Sequence, residues 1–186
     1  MRAILSSFLL VAVSELGDKT QLLALSLAAR FRRPWVVMAG ILTATIANHT
    51  LASLVGSWVA ERVPERVMAG ALAAIFIAFA LWTLRPDTLE EGGAQSRFGP
   101  YLSTVVLFFL AEMGDKTQLA TVALAAQFHS VVLVTIGTTL GMLASDGVAV
   151  LLGDRLADRL PMTWVRRVAA ALFVAFGAVA AWRALS

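Results

Sequence analysis

Apolar runs of about 19 residues or more alternate with short polar breaks along the whole chain. The pattern predicts six helices, at about 3–28, 34–58, 66–84, 101–126, 131–153 and 165–185. Each run is long enough to cross about 30 Å of hydrocarbon at about 1.5 Å per residue. The breaks run from Arg30 to Pro34, Glu61 to Arg66, Arg85 to Pro100, Gln127 to Ser130 and Asp154 to Pro161, and proline or glycine punctuates most of them. Arg2 ahead of an apolar stretch, with Ala12, Val13 and Ser14 behind it, loosely resembles a secretory signal and its cleavage site. The next few residues recur inside the fourth run, where no signal can lie, so the first helix is read as retained.

That recurrence organises the chain. Ser14 to Gln21 reads S-E-L-G-D-K-T-Q and Ala111 to Gln118 reads A-E-M-G-D-K-T-Q, 97 positions later. The same offset pairs Gly40 with Gly137, Gly56 with Gly153, Pro64 with Pro161, Phe76 with Phe173 and Phe79 with Phe176, with no gap needed from Glu15 to Phe79. The expected organisation is a first three-helix repeat over 1–84, a polar linker over 85–100 and a second three-helix repeat over 101–186. Three helices per unit is an odd number, so the second unit must enter a membrane from the opposite side. An all-α membrane protein of six transmembrane helices, built as two inverted repeats, is a recurring plan of secondary transporters with a site between the halves.

Composition agrees with a lipid bilayer as the solvent. The 186 residues are 59% hydrophobic and 15% charged, with mean hydropathy +0.81, where soluble domains are about half apolar and roughly a quarter charged. The absence of cysteine excludes disulfide scaffolds, zinc–thiolate sites and thiol chemistry. A net charge of +3 and a pI near 10.2 do not imply nucleic acid, because the arginines are scattered through short connections and form no basic stripe. Nine arginines fall on one side, and Arg2, Arg62, Arg66 and Arg183 on the other. The richer side is expected to be cytoplasmic and both termini outside. The five tryptophans, near predicted helix ends, read as interface anchors.

Both lysines of the protein, Lys19 and Lys116, belong to the motif. If each motif continues its helix, Glu15, Asp18, Lys19 and Leu22 share a face, with Gln21 beside Asp18 and Thr20 turned away. Each motif lies at the centre of its run, near mid-membrane, where ionisable groups need a partner or a function. One copy alone also reads as a self-neutralising Glu15–Lys19 pair at i, i+4, but the second acid of each copy is left over. Glu15, Asp18, Glu112 and Asp115 against two lysines leave a formal −2, and Asp146 on the fifth helix would make it −3.

Carboxylate oxygens, with Gln21, Gln118, Ser14, Thr20 and Thr117 in support, are the ligand set of hard ions such as manganese, calcium or magnesium. Gly17 and Gly114 would let each helix unwind and present carbonyls. The offset matches His49, beside Asn48, with Asp146, beside Ser145; a lone buried histidine is more often hydrogen-bonded than a ligand. Gly137 and Gly141, with Gly40 and Ala44, have the small-residue spacing of close helix packing.

E-x-G-D-K-T in two copies, on the first and fourth of six helices, resembles the signature of the GDT1 family of membrane cation transporters, also called UPF0016, over essentially the whole chain. The resemblance implies transport of manganese or calcium, in exchange for protons, with no cofactor and no enzymatic activity. It implicates Glu15, Gly17, Asp18, Lys19 and Thr20 with Glu112, Gly114, Asp115, Lys116 and Thr117, the acids forming the cation site. The compact length and short linker look like bacterial members, which implies the inner membrane. Competing readings are an intramembrane aspartyl hydrolase using Asp18 and Asp115, and a passive cation channel. The expected partners are a divalent cation, protons and the lipid bilayer, with a homo-oligomer compatible with the sequence.

Overall fold

The structure, a computed structural model, describes residues 1–84, 98–152 and 162–185. Eight helices and no strand occur among them: α1 (Arg2–Ser14), α2 (Lys19–Phe31), α3 (Pro34–Ala60), α4 (Glu65–Thr83), α5 (Pro100–Glu112), α6 (Lys116–Phe128), α7 (Val131–Leu152) and α8 (Met162–Leu185). Most of the linker expected over 85–100 lies outside the described residues, as do Arg85, Arg97, Gly153, Arg155, Arg159 and Pro161. Arg166 and Arg167, counted with a connection in the sequence reading, lie on α8.

α3, α4, α7 and α8 are long and apolar enough to cross a membrane, whereas α1 and α5 are apolar but only 13 residues long. The expectation of one continuous helix through each motif is corrected. The chain breaks at Glu15–Asp18 and again at Met113–Asp115. Gly17 (φ +78°) and Gly114 (φ +75°) turn it through the left-handed region, which side chains avoid. Asp18 and Asp115 then take extended backbone and start the next helix as N-caps, the Asp18 carboxylate accepting from the Lys19 N–H at 2.7 Å. Pro34 and Pro100 open α3 and α5 where a missing N–H costs nothing.

The helices pair across the two halves. α4 packs most extensively on α8, α1 on α7, and α3 on α5, α6 and α7. Glycines let backbones touch. A Cβ on Gly40 would lie 2.6 Å from Thr104 Cβ, and one on Gly137 would lie 2.5 Å from the Ile4 carbonyl oxygen and 2.8 Å from Ser7 Cβ. Ser7 and Thr104 are themselves 97 positions apart, so α7 meets α1 as α3 meets α5. Phe76, Phe79, Phe173 and Phe176, matched by the same offset, stack between α4 and α8 with ring centroids 5.6–6.4 Å apart. A second apolar cluster around Val37, Ile41 and Phe108 joins α3 to α5 and α2. All five tryptophans are exposed near helix ends.

Candidate cation site at the two helix breaks

The two breaks come together in the interior and exchange partners. Lys19 Nζ lies 2.9 Å from Asp115, and Lys116 Nζ lies 2.6 Å from Asp18, so each motif's lysine pairs with the other motif's aspartate. The local Glu15–Lys19 pair is thereby replaced by two cross-links between halves. Glu15, wholly buried, accepts from the Thr20 hydroxyl at 2.8 Å on one oxygen and from the Thr117 hydroxyl on the other. Thr20, which continuous helix geometry turned away, is drawn back to Glu15 by the break.

Each motif's glutamine fastens its own break to a long helix of the opposite half. Gln21 accepts from the Gly17 N–H at 2.8 Å through its amide oxygen and donates to the Ser145 carbonyl at 3.0 Å. Gln118 accepts from the Gly114 N–H at 2.7 Å and donates to Asn48 Oδ1 at 2.5 Å, while Asn48 donates to the Phe109 carbonyl at 3.1 Å. The glutamine amide oxygens thus hold backbone in this conformation. Gln21→Ala is expected to cost about 1–3 kcal/mol, the penalty of stranding buried polar groups. Lower thermal stability and faster amide exchange at Gly17 and Asp18 are the readouts.

Glu15, Asp18 and Asp115 offer carboxylate oxygens that all lie within 4.8 Å of one another, and all three residues are buried. Ligands on opposite sides of a hard cation stand at most twice the metal–oxygen distance apart, about 4.6–5.2 Å for calcium. The trio therefore has the span of a shared ion, although both lysines now occupy its aspartates. Glu112 and Asp146 are equally buried, and none of their carboxylate oxygens has a hydrogen-bond partner among the described residues. His49 is buried with both ring nitrogens unpartnered, so no acid hydrogen-bonds to it. Ser14 bonds its own helix through the Val11 carbonyl. The crossed lysines and the threonine contacts to Glu15 were missed in the sequence reading. Only the offset itself hinted that residues of one copy answer residues of the other.

The two copies differ in cover. Lys116 and Asp18 are buried and line a small recess together with Leu16, Gly17, Thr83 and Arg166. Lys19 keeps 29% of its side chain exposed, and Met113 and Gly114 lie open.

Comparison with known proteins places the chain in a family. The family described as divalent cation/proton antiporter GDT1 matches residues 3–91 and 100–186. A Vibrio cholerae protein named as a candidate manganese exporter is 42% identical over 175 residues, 94% of this chain and 88% of its own length. A GDT1-like protein of Synechocystis is 32% identical over 98% of both chains, and GDT1-like protein 3 of Arabidopsis thaliana is 28% identical over 94% of this chain. No solved structure matches. A membrane transporter and not an enzyme, the chain belongs to the GDT1 family of divalent cation/proton antiporters.

Proposed function

We propose that the protein exports manganese, with calcium as a second cargo, in exchange for protons across a bacterial inner membrane. The observation that carries this reading is the convergence of Glu15, Asp18 and Asp115, drawn from both copies of the motif, on one buried space of ion-sized span. Manganese comes first because of the name borne by the Vibrio relative, and oxygen-only ligands suit it as they suit calcium. In this reading α1 with α2, and α5 with α6, are the two halves of interrupted spans. The chain then crosses six times as inverted repeats over 1–84 and 101–186, with both termini outside. The matched approaches of Gly40 to Thr104 and Gly137 to Ser7 support the inversion, because a two-fold axis exchanges them.

The cation enters by displacing Lys19 and Lys116 from their aspartates, and the lysines return when it leaves. Each ammonium is a tethered counter-ion that keeps the vacated carboxylates from standing as bare charge in low dielectric. Protons and the cation compete for the same carboxylate oxygens, which couples release of one to uptake of the other. A hydrolase built on Asp18 and Asp115 does not suit side chains already tied to lysines.

Purified protein in liposomes is expected to move manganese against an imposed proton gradient, and Glu112→Gln to reduce that flux at least about tenfold, the scale on which a metal's outer-shell partners already matter. Undiminished, pH-independent flux in the variant would end the antiporter account, and ion conductance without proton movement would favour a passive channel.

A further inference from the structure

Away from the two breaks, α4 and α6 face each other through small side chains, Ala71 and Ala78 on one and Ala123 and Ala126 on the other. Methyl groups cannot fill the gap between two helix axes. The result is an apolar cleft of about 330 Å³, open to the outside where Ala71 and Ala78 are exposed. At one end it runs into a polar mouth, and Met68, Leu72 and Ala126 line both, so the two form one groove. The mouth carries Glu65 in the first turn of α4, Gln127 and His129 at the end of α6, and Arg183 in the last turn of α8. Exposed Trp58 and Trp182 stand near the same helix ends, with the Arg62 guanidinium 4.1 Å over the Trp58 ring. Such residues gather where a membrane meets water. From Met68 to Phe79 the cleft follows α4 for about 16 Å at about 1.5 Å per residue, half of about 30 Å of hydrocarbon. That is the depth of one leaflet. The Gln127 amide oxygen is enclosed and has no hydrogen-bond partner among the described residues, a state that folds keep only where something supplies the donor.

We infer that this groove binds one phospholipid, with an acyl chain in the cleft and an ethanolamine headgroup in the mouth. Within a bilayer the cleft gains nothing from leaving water, so the headgroup contacts decide which lipid stays. Phosphate suits the Arg183 guanidinium, which is always charged and matches it in shape. Phosphate alone would leave Glu65 facing like charge. The ethanolamine ammonium answers both remaining groups, since it brings three N–H donors for the Glu65 carboxylate and for the Gln127 amide oxygen, once that side chain turns to the mouth. A choline headgroup has the positive charge but no N–H to give. A glycerol headgroup has hydroxyl donors but no positive charge for Glu65. The lipid site is separate from the ion site and does not depend on which ion is carried.

The test uses the full chain purified in detergent, with phosphatidylethanolamine, phosphatidylcholine or phosphatidylglycerol of one acyl composition added back. Thermal unfolding and native mass spectrometry are the readouts. The ethanolamine lipid is expected to raise the melting temperature by at least about 4 °C, as a ligand well above its Kd does, and to stay on the chain as a single molecule. The choline and glycerol lipids should give less than about half that shift. Gln127→Leu should lose the preference for ethanolamine over choline. Ala71→Phe sets a ring into the cleft from an exposed position, and should lose the retained lipid. Equal shifts from all three lipids would mean general solvation of the lipid face and would overturn the inference. So would an ethanolamine preference that survives in Gln127→Leu, a lipid retained by Ala71→Phe, or a larger shift from the glycerol lipid, which would mark a site for phosphate alone. Should either variant fail to fold, the order of the three lipids on the wild-type chain decides. No ion flux is read, so failure of the antiporter account leaves this outcome untouched.

Discussion

Lys116→Met is expected to cost about 3–5 kcal/mol, because it removes one partner of a buried ion pair. The pair is buried on both sides, 5% and 0% exposed. Lys19→Met removes the same residue from the same motif and should cost less, about 1–3 kcal/mol, since its ammonium is partly open to solvent although the Asp115 it leaves behind is buried. The two side chains are 29% and 5% exposed. For a chain of this size that is a drop in melting temperature of about 6–20 °C for Lys116→Met against about 2–12 °C for Lys19→Met. Thermal unfolding in detergent reads both. Equal losses would mean that the two ion pairs are equivalent, contrary to the unequal cover on the two breaks. Sequence alone sees two identical D-K-T strings and predicts no difference.

Gly56→Ala is expected to be the most damaging of the small substitutions. The added Cβ would sit 2.1 Å from the Val122 carbonyl oxygen, 2.9 Å from its carbon and 3.0 Å from Ala125 Cβ, where α3 crosses α6. Backbone cannot swing aside as a side chain does, so α3 and α6 must separate, at a cost of about 1–3 kcal/mol or more from overpacking. α6 begins at Lys116, and its displacement should reach the site as reduced flux. Gly70→Ala on α4 is the control. No atom lies within 4 Å of its Cβ, and exchanging glycine for alanine inside a helix should gain about 0.5–1 kcal/mol. Melting temperatures that move in opposite directions for the two variants would verify the helix crossing.

Legibility in the sequence followed the range of the interactions concerned. Apolar length marked α3, α4, α7 and α8 well, because hydrophobic runs are local. The offset matched Phe76 with Phe173, which pack together between α4 and α8, and Gly40 with Gly137, which make equivalent close approaches to α5 and α1. The breaks at Gly17 and Gly114 were half seen. Glycine was read as a place to unwind, but the long apolar runs around both motifs argued for uninterrupted helix. The stop signal is there: glycine followed directly by an N-capping aspartate. The crossed pairs of Lys19 with Asp115 and Lys116 with Asp18 were not legible, since an i, i+4 glutamate stood nearer in sequence. Once the helix is broken that spacing no longer brings Glu15 and Lys19 together, and the opposite aspartate takes the lysine. Asp146 was singled out by its depth, but its lack of any hydrogen-bonding neighbour is a property of the folded interior alone.

The glutamine fastenings carry a mechanical consequence. Neither break is fastened by its own half alone: besides its own glycine N–H, Gln21 holds Ser145 and Gln118 holds Asn48, each on the other half's long helix. A shift of α7 or α3 relative to the opposite break would therefore have to break one of these amide hydrogen bonds or carry the loop with it.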